Sequence, residues 1–207
     1  MSDDRGGVCG IVLAAGAGTR YGMPKALVTP PDGVPWIRRA VEALLAGGCA
    51  PVFVALGAAH EVARGLVPTT DARVVIVPVP DWASGLSASV RAALAAADEA
   101  GSLAAVLIPV DTPGLPAEAV ARVAAGADGS ALRRAVYGDA PGHPVVIGHR
   151  HWAALARDLR GGRGGGRVGG RGGDRGAGAY LEAHGAVRVE CGDLWDGMDV
   201  DLPELRT

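Results

Sequence analysis

The stretch that decides the fold is LAAGAGTRYGMPKAL, Leu13–Leu27. It follows the apolar run VCGIV and opens toward a helical pattern, so it reads as the turn leaving the end of a buried strand. Gly16, Gly18, Arg20, Gly22 and Lys25 are packed into this one turn. Glycines let a backbone bend sharply and bring its N–H groups close to a polyphosphate. An arginine and a lysine supply fixed and mobile positive charge for the same phosphates. A glycine turn alone fits a plain loop equally well; two cations directly after a strand favour a phosphate cradle. The dinucleotide fingerprint would need a glycine where Tyr21 stands, and a Walker A loop would need Gly-Lys-Ser/Thr, so the stretch is neither.

Outward from it, short apolar runs alternate with longer Ala-rich segments. VCGIVLA from Val8, PVFVAL from Pro51, ARVVIVPV from Ala72 and LAAVLIPV from Leu103 read as buried strands. Helical patterns lie between them over Pro35–Ala46, Ala58–Leu66, Ser84–Ala97 and Pro116–Ala125. The alternation predicts an α/β fold: one Rossmann-like domain over residues 1–207, with three layers, α/β/α, around a mostly parallel sheet. After residue 126 the pattern loosens to strand-like ALRRAVY and PVVIG and a helix near His151–Leu159. A short helix over Ala177–His184 and a strand over Ala186–Cys191 follow. The intervening GGRGGGRVGGRGGDRGAG, Gly161–Gly178, is too rich in glycine for a helix or strand, and 161–175 reads as a flexible loop.

Composition narrows the class. A chain of 207 residues suffices for one domain with a sizeable core. Apolar residues make up 49% of it but aromatics only 4%, so Val, Ala and Leu must build that core. A net charge of -2 gives no push toward nucleic acid or an anionic membrane. The Gly/Arg tract resembles RNA-binding repeats but holds no aromatic for base stacking, which argues against a nucleic-acid partner. Cys9, Cys49 and Cys191 are too scattered for a disulfide framework or a zinc site. MSDDRGG is no signal peptide, and no apolar stretch approaches the roughly 18 residues of a membrane span, so a cytoplasmic protein is expected.

Three more polar clusters follow strand ends or close the chain. In PVDTPGLP, Asp111 stands where a buried strand stops; it suits a Mg²⁺ that bridges to phosphates, or the N-cap of the helix after Pro116. In DWASGLSASVRAAL, Ser84, Gly85 and Ser89 stand near a helix start, where polar recognition and simple capping are both open; Arg91 reads as a solvated helix residue. In MDVDLP, Asp199 and Asp201 would face one side of an extended segment, either as solvated acids or as partners of Asp111 on a metal. His143, in GHP before a strand, could read a polar group of a substrate. His60, His149, His151 and His184 show no metal-ligand spacing, and no Ser–His or Cys–His signature marks a covalent nucleophile.

The joined pattern resembles the nucleotidyltransferases of the glycosyltransferase-A-like fold, whose L-x-x-G-x-G-x-R-x-G-x-x-K signature is matched from Leu13 to Lys25. GLSASVRAAL, PGHPVVIG, GGDRGAGAYL and MDVDLPEL resemble the branch of molybdenum cofactor cytidylyltransferases and MobA-like NTP transferases. Tyr21 and PVDTPGL depart from the commoner forms of two of these motifs. The resemblance implies transfer of CMP from CTP to a phosphorylated acceptor, molybdopterin first, with Mg²⁺ as cofactor and a molybdoenzyme as downstream partner. It implies nucleotide contacts from Leu13, Ala14, Ala15, Gly16, Gly18, Thr19, Lys25, Ser84, Gly85 and Ser89. Arg20, Lys25 and Asp111 would be catalytic, Asp111 with Asp199 or Asp201 would hold the metal, and His143 and Asp174 would touch the acceptor. Ala15 votes for cytidine, since the guanylyl branch tends to carry glycine there. GTP or another NTP, with a sugar phosphate as acceptor, is the alternative.

Overall fold

The computed structural model describes residues 5–161 and 176–201. The first strand, β1 (Gly6–Ala14), lies parallel between β2 (Val52–Leu56) and β4 (Ser102–Pro109), and β3 (Val74–Pro78) extends the sheet beyond β2. On the other side β6 (Ala140–Gly148) runs antiparallel to β4 and to β5 (Leu132–Tyr137), and β7 (Val187–Glu190) closes that edge parallel to β5. The order is β3-β2-β1-β4-β6-β5-β7. Each strand matches an apolar run read in the sequence. The reversal of β6 is the part that periodicity does not carry, because direction depends on the connection: Gly138 at φ +62° turns β5 straight back into β6.

Strand side chains alternate between the faces of the sheet and so feed two cores. Val12 and Ala14 pack on one face with Trp36, Ile37, Val41 and Leu44 of α1 (Trp36–Ala46) and with Val120 and Val123 of α4 (Ala117–Ala124). Cys9, Ile11 and Leu13 pack on the other with α3 (Leu86–Glu99), α5 (His149–Gly161) and α6 (Gly178–Ala183). The three layers are thus α/β/α. A short α2 (His60–Ala63) continues into a 3-10 turn, Arg64–Leu66, in place of the single longer helix expected there. Leu44 is fully buried, and truncation to alanine would cost about 2–5 kcal/mol. Among the described residues no helix is long and apolar enough to cross a membrane. The loop expected over 161–175, and Asp174 within it, lies outside the described residues apart from Gly161, which ends α5.

Candidate active site

β1 and β4 end side by side, and Val110 N–H donates to the Leu13 carbonyl, so the turns after both strands open into one cleft. The cleft holds about 480 Å³, within the usual range for small-molecule sites. Its wall includes every residue from Leu13 to Tyr21, followed by Lys25. Gly18 is the turn-maker of this loop: its φ is +62°, and a Cβ there would lie 1.8 Å from the Met23 carbonyl oxygen. Gly16 has no positive φ, and a Cβ there would meet nothing within 4 Å. The sharp bend assigned to both glycines therefore belongs to Gly18, while Gly16 leaves space open on the cleft side.

Lys25 begins a 3-10 turn, Lys25–Leu27, that aims its ammonium across the cleft. Nζ lies 2.7 Å from Asp111 Oδ2 and 3.0 Å from Asp201 Oδ1. Burial opposes its charge, but the bonds and charges of Asp111 and Asp201 outweigh burial and raise its pKa. Arg20 is more exposed and reaches Asp201 at 3.6 Å, a weak solvent-screened pair. Asp111 does not cap the helix after it: Pro116 occupies that position without a side-chain cap. The tail is not a free acidic segment either. Val200 N–H donates to the Asp111 carbonyl at 2.9 Å, which draws the neighbouring aspartates inward. Asp111, Asp199 and Asp201 each present an oxygen within 4.8 Å of the others. Three hard oxygen donors at that spacing fit Mg²⁺ or Mn²⁺. Lys25, bonded to Asp111 and Asp201, and Arg20, near Asp201, offset their mutual repulsion.

The third wall comes from the start of α3. Gly85, at φ 105°, is its N-cap and has no side-chain cap, so capping does not account for the serines around it. Ser89 lines the cleft at 4% exposure, and Gly85 lines it beside Leu86. The free helix end can meet a negative charge with backbone amides and dipole. Ser84 is exposed and does not line the cleft. Arg91 pairs with Asp81 on the surface, at 3.1 Å. His143 stands apart from this cleft in a neighbouring cavity. Sequence reading passed over Trp82, whose signal was an aromatic before Ser84-Gly85 in a chain poor in aromatics. It lines the cleft, and Gly57 makes room for it: a Cβ on Gly57 would lie 2.5 Å from Trp82 Cβ.

Residues 10–175 match the MobA-like NTP transferase domain. A nicotine blue oxidoreductase of Paenarthrobacter nicotinovorans is 35% identical over 165 residues, covering 76% of this chain and 78% of that protein. A molybdenum cofactor guanylyltransferase of Rhodobacter capsulatus is 36% identical over 149 residues, 71% of this chain and 66% of the relative. A 2-C-methyl-D-erythritol 4-phosphate cytidylyltransferase of Nocardia farcinica is 39% identical over 104 residues, 48% of this chain and 43% of the relative. Among solved structures, the Rv0371c homologue from Mycobacterium sp. strain JC1 superposes with a TM-score of 0.73 at 28% identity, covering 94% of this chain and 90% of that one. Rv0371c of Mycobacterium tuberculosis, solved as a complex with manganese, gives 0.64 at 22% identity, covering 89% and 88%.

Proposed function

We propose that this chain, which belongs to the MobA-like family of nucleotidyltransferases, transfers CMP from CTP to the phosphate of a small acceptor, releasing pyrophosphate. The observation that carries the reading is the meeting of the Gly18 loop, Lys25 and three carboxylates at the ends of β1 and β4. Phosphoryl-type transfers depend on positioning and charge stabilisation more than on covalent help from the protein. The loop amides from Gly16 to Thr19 and the start of α3 would hold the triphosphate. Lys25 would turn from the carboxylates to the phosphates, with Arg20 beside it. Asp111 with Asp199 or Asp201 would hold Mg²⁺, which when bound neutralises the triphosphate and polarises its α-phosphorus. An oxygen of the acceptor phosphate attacks the α-phosphorus, the bond to the β-phosphate oxygen breaks, and pyrophosphate leaves. No protein nucleophile or base is required, in keeping with the residues at the site.

Ala15 supports CTP, and the manganese complex of Rv0371c supports a divalent cation. The molybdenum cofactor guanylyltransferase relative supports a molybdopterin-type acceptor but carries the other base, whereas the erythritol 4-phosphate cytidylyltransferase relative supports CTP with a sugar-like acceptor. Pyrophosphate release, measured with each NTP, Mg²⁺ and either molybdopterin or a panel of sugar phosphates, tests the reading. CTP with molybdopterin should give the fastest release. A folded protein that releases none with any NTP would overturn it, and redox turnover of nicotine blue instead would align the chain with its oxidoreductase relative.

A further inference from the structure

At the far edge of the sheet, between β5, β7 and α6, lies a cavity of about 280 Å³ that shares no lining residue with the cleft. Val136 of β5, Pro141 of β6, Leu181 of α6 and Ala186 before β7 give it an apolar wall. Arg134, Arg188 and Glu182 supply its charge. Register explains why two arginines meet there. β5 and β7 run parallel, with Arg134 directly beside Arg188 and Arg133 beside Val187. Alternation turns Arg133 to the α4 side, where it bonds the Val123 carbonyl, so Arg134 and Arg188 share the opposite face. The Tyr137 hydroxyl donates to the His143 carbonyl at 2.6 Å and fixes the start of β6 that carries Pro141.

Guanidinium groups in proteins stay charged, and like charges directly opposite in a sheet destabilise it. Two arginines in register therefore call for a counter-charge, and the protein supplies only part of one. Burial opposes the charge of Arg134, Glu182 favours it and Arg188 opposes it again. Among the described residues Arg134 makes no ion pair with Glu182 or any other acid. Arg134 Nε makes one long bond, 3.4 Å to the Gly142 carbonyl, and its terminal nitrogens have no partner among the described residues. Those nitrogens reach the start of α6, where a Cβ on Gly178 would stand 3.9 Å from both. Arg188 commits Nη2 to Asp139, at 3.2 Å from its carbonyl and 3.9 Å from its carboxylate, outside the cavity. Half-buried donors without partners are costly, so the pair is placed to receive an acceptor.

We propose that this edge cavity is a second small-molecule site, one that binds an organic monocarboxylate. The carboxylate bridges Arg134 and Arg188, and the apolar body lies on Val136, Pro141, Leu181 and Ala186. Guanidinium forks match the planar geometry of a carboxylate. Charge balance selects a monoanion. Two arginines against Glu182 leave one positive charge for the ligand, and the second negative charge of a phosphate ester would face Glu182. The volume equals about nine waters of liquid, room for an acid the size of benzoate. The site lies apart from the nucleotide cleft, so it stands or falls independently of the function proposed above.

Titration of the full chain with benzoate, benzamide and phenyl phosphate, followed by amide NMR shifts, tests the assignment. Benzoate should bind with a Kd below about 10 mM, about tenfold tighter than its uncharged counterpart benzamide, and tighter than phenyl phosphate. Shifts should concentrate in β5, α6 and β7 and spare Gly16 to Lys25. Arg134→Met, which keeps the packed stem, and Arg188→Gln at the exposed edge should each weaken benzoate about tenfold. Arg134→Lys, which keeps the charge, should retain more affinity than Arg134→Met and guards against a folding artefact. Glu182→Gln should narrow the gap between benzoate and phenyl phosphate. Absent benzoate binding, equal binding of benzamide, shifts centred on Gly16 to Lys25, or affinity unchanged in both arginine variants would each overturn the proposal.

Discussion

Strands β1 and β4 stop at Ala14 and Pro109, and each hands the cleft its polar residues within the next turn of chain: Gly16 to Lys25 after one, Asp111 after the other. Strands β5 and β6 behave differently. Arg134 and His143 sit within them and line a cavity, Arg134 because register sets it across Val145 from Leu107, and His143 from two residues along the strand from Val145. The parallel half therefore makes a site by ending strands, the antiparallel half by pairing them. On the proposed function, it is the parallel half, at the ends of its strands, that would hold the triphosphate. The tail joins the two, since Val200 hydrogen-bonds to Asp111 and the charge of Asp199 is felt at His143.

The sharpest way to break the comparison is Asp111→Asn. It should reduce pyrophosphate release about 10²–10³-fold, the usual scale for losing one preorganised electrostatic contact. Lys25 and Asp111 are only 14% and 19% exposed, so loss of this charged hydrogen bond should also lower stability by about 1–3 kcal/mol, read by urea unfolding. Near-wild-type release would take Asp111 out of the site.

Lys25→Met should reduce release about 10²-fold yet bind Mn²⁺ more tightly, because the ammonium that competes for Asp111 and Asp201 is gone. Titration of Mn²⁺ by electron paramagnetic resonance reads the second effect; weaker binding would mean that Lys25 assembles the carboxylates instead of competing for them. The raised pKa of Lys25 fixes the pH window. The pairing contributes stability fully below the unfolded lysine value of about 10.4 and loses it as pH climbs through the higher folded value. The rate profile should accordingly show no loss from Lys25 below about pH 10.

Ala15→Gly tests whether the parallel half also chooses the base. Ala15 is buried at the cleft wall, and its carbonyl accepts from Ala58 N–H at 3.0 Å. The variant should shift the CTP-to-GTP ratio of kcat/KM toward GTP by about 1 kcal/mol, the low end for one methyl-sized change. An unchanged ratio places base choice elsewhere, with Trp82 and Leu86 next to be examined. The smallest effect belongs to the antiparallel half. Tyr137→Phe should cost about 1 kcal/mol of stability and raise KM for the acceptor severalfold, leaving KM for CTP unchanged.

Sequence alone exposed the parallel half well. Most residues of β1, β2 and β4 are buried on both faces and read as apolar runs, and the cleft residues that follow β1 are neighbours in the chain, so the Leu13–Lys25 motif and Asp111 could be picked out as candidates without knowing any contact. Arg134 was not legible: ALRRAVY shows two adjacent arginines, and alternation says only that they point oppositely. Register decides which faces the cavity, while Arg133 bonds the Val123 and Ala125 carbonyls near the end of α4. His143 was singled out from its GHP context, but no local pattern could show that Nδ1 is buried without a partner. The tail aspartates read either as solvated acids or as partners of Asp111; what brings them to it is contact between distant segments, the Val200–Asp111 backbone bond and the Lys25 bridge from Asp111 to Asp201.

The most direct test of the account is anomalous diffraction from crystals soaked with Mn²⁺ and the α,β-methylene CTP analogue. The account predicts a manganese peak within about 2.0–2.3 Å of carboxylate oxygens from Asp111 and from Asp199 or Asp201, touching the triphosphate held by Gly16 to Thr19. A fully bound nucleotide with its metal away from all three aspartates would contradict it.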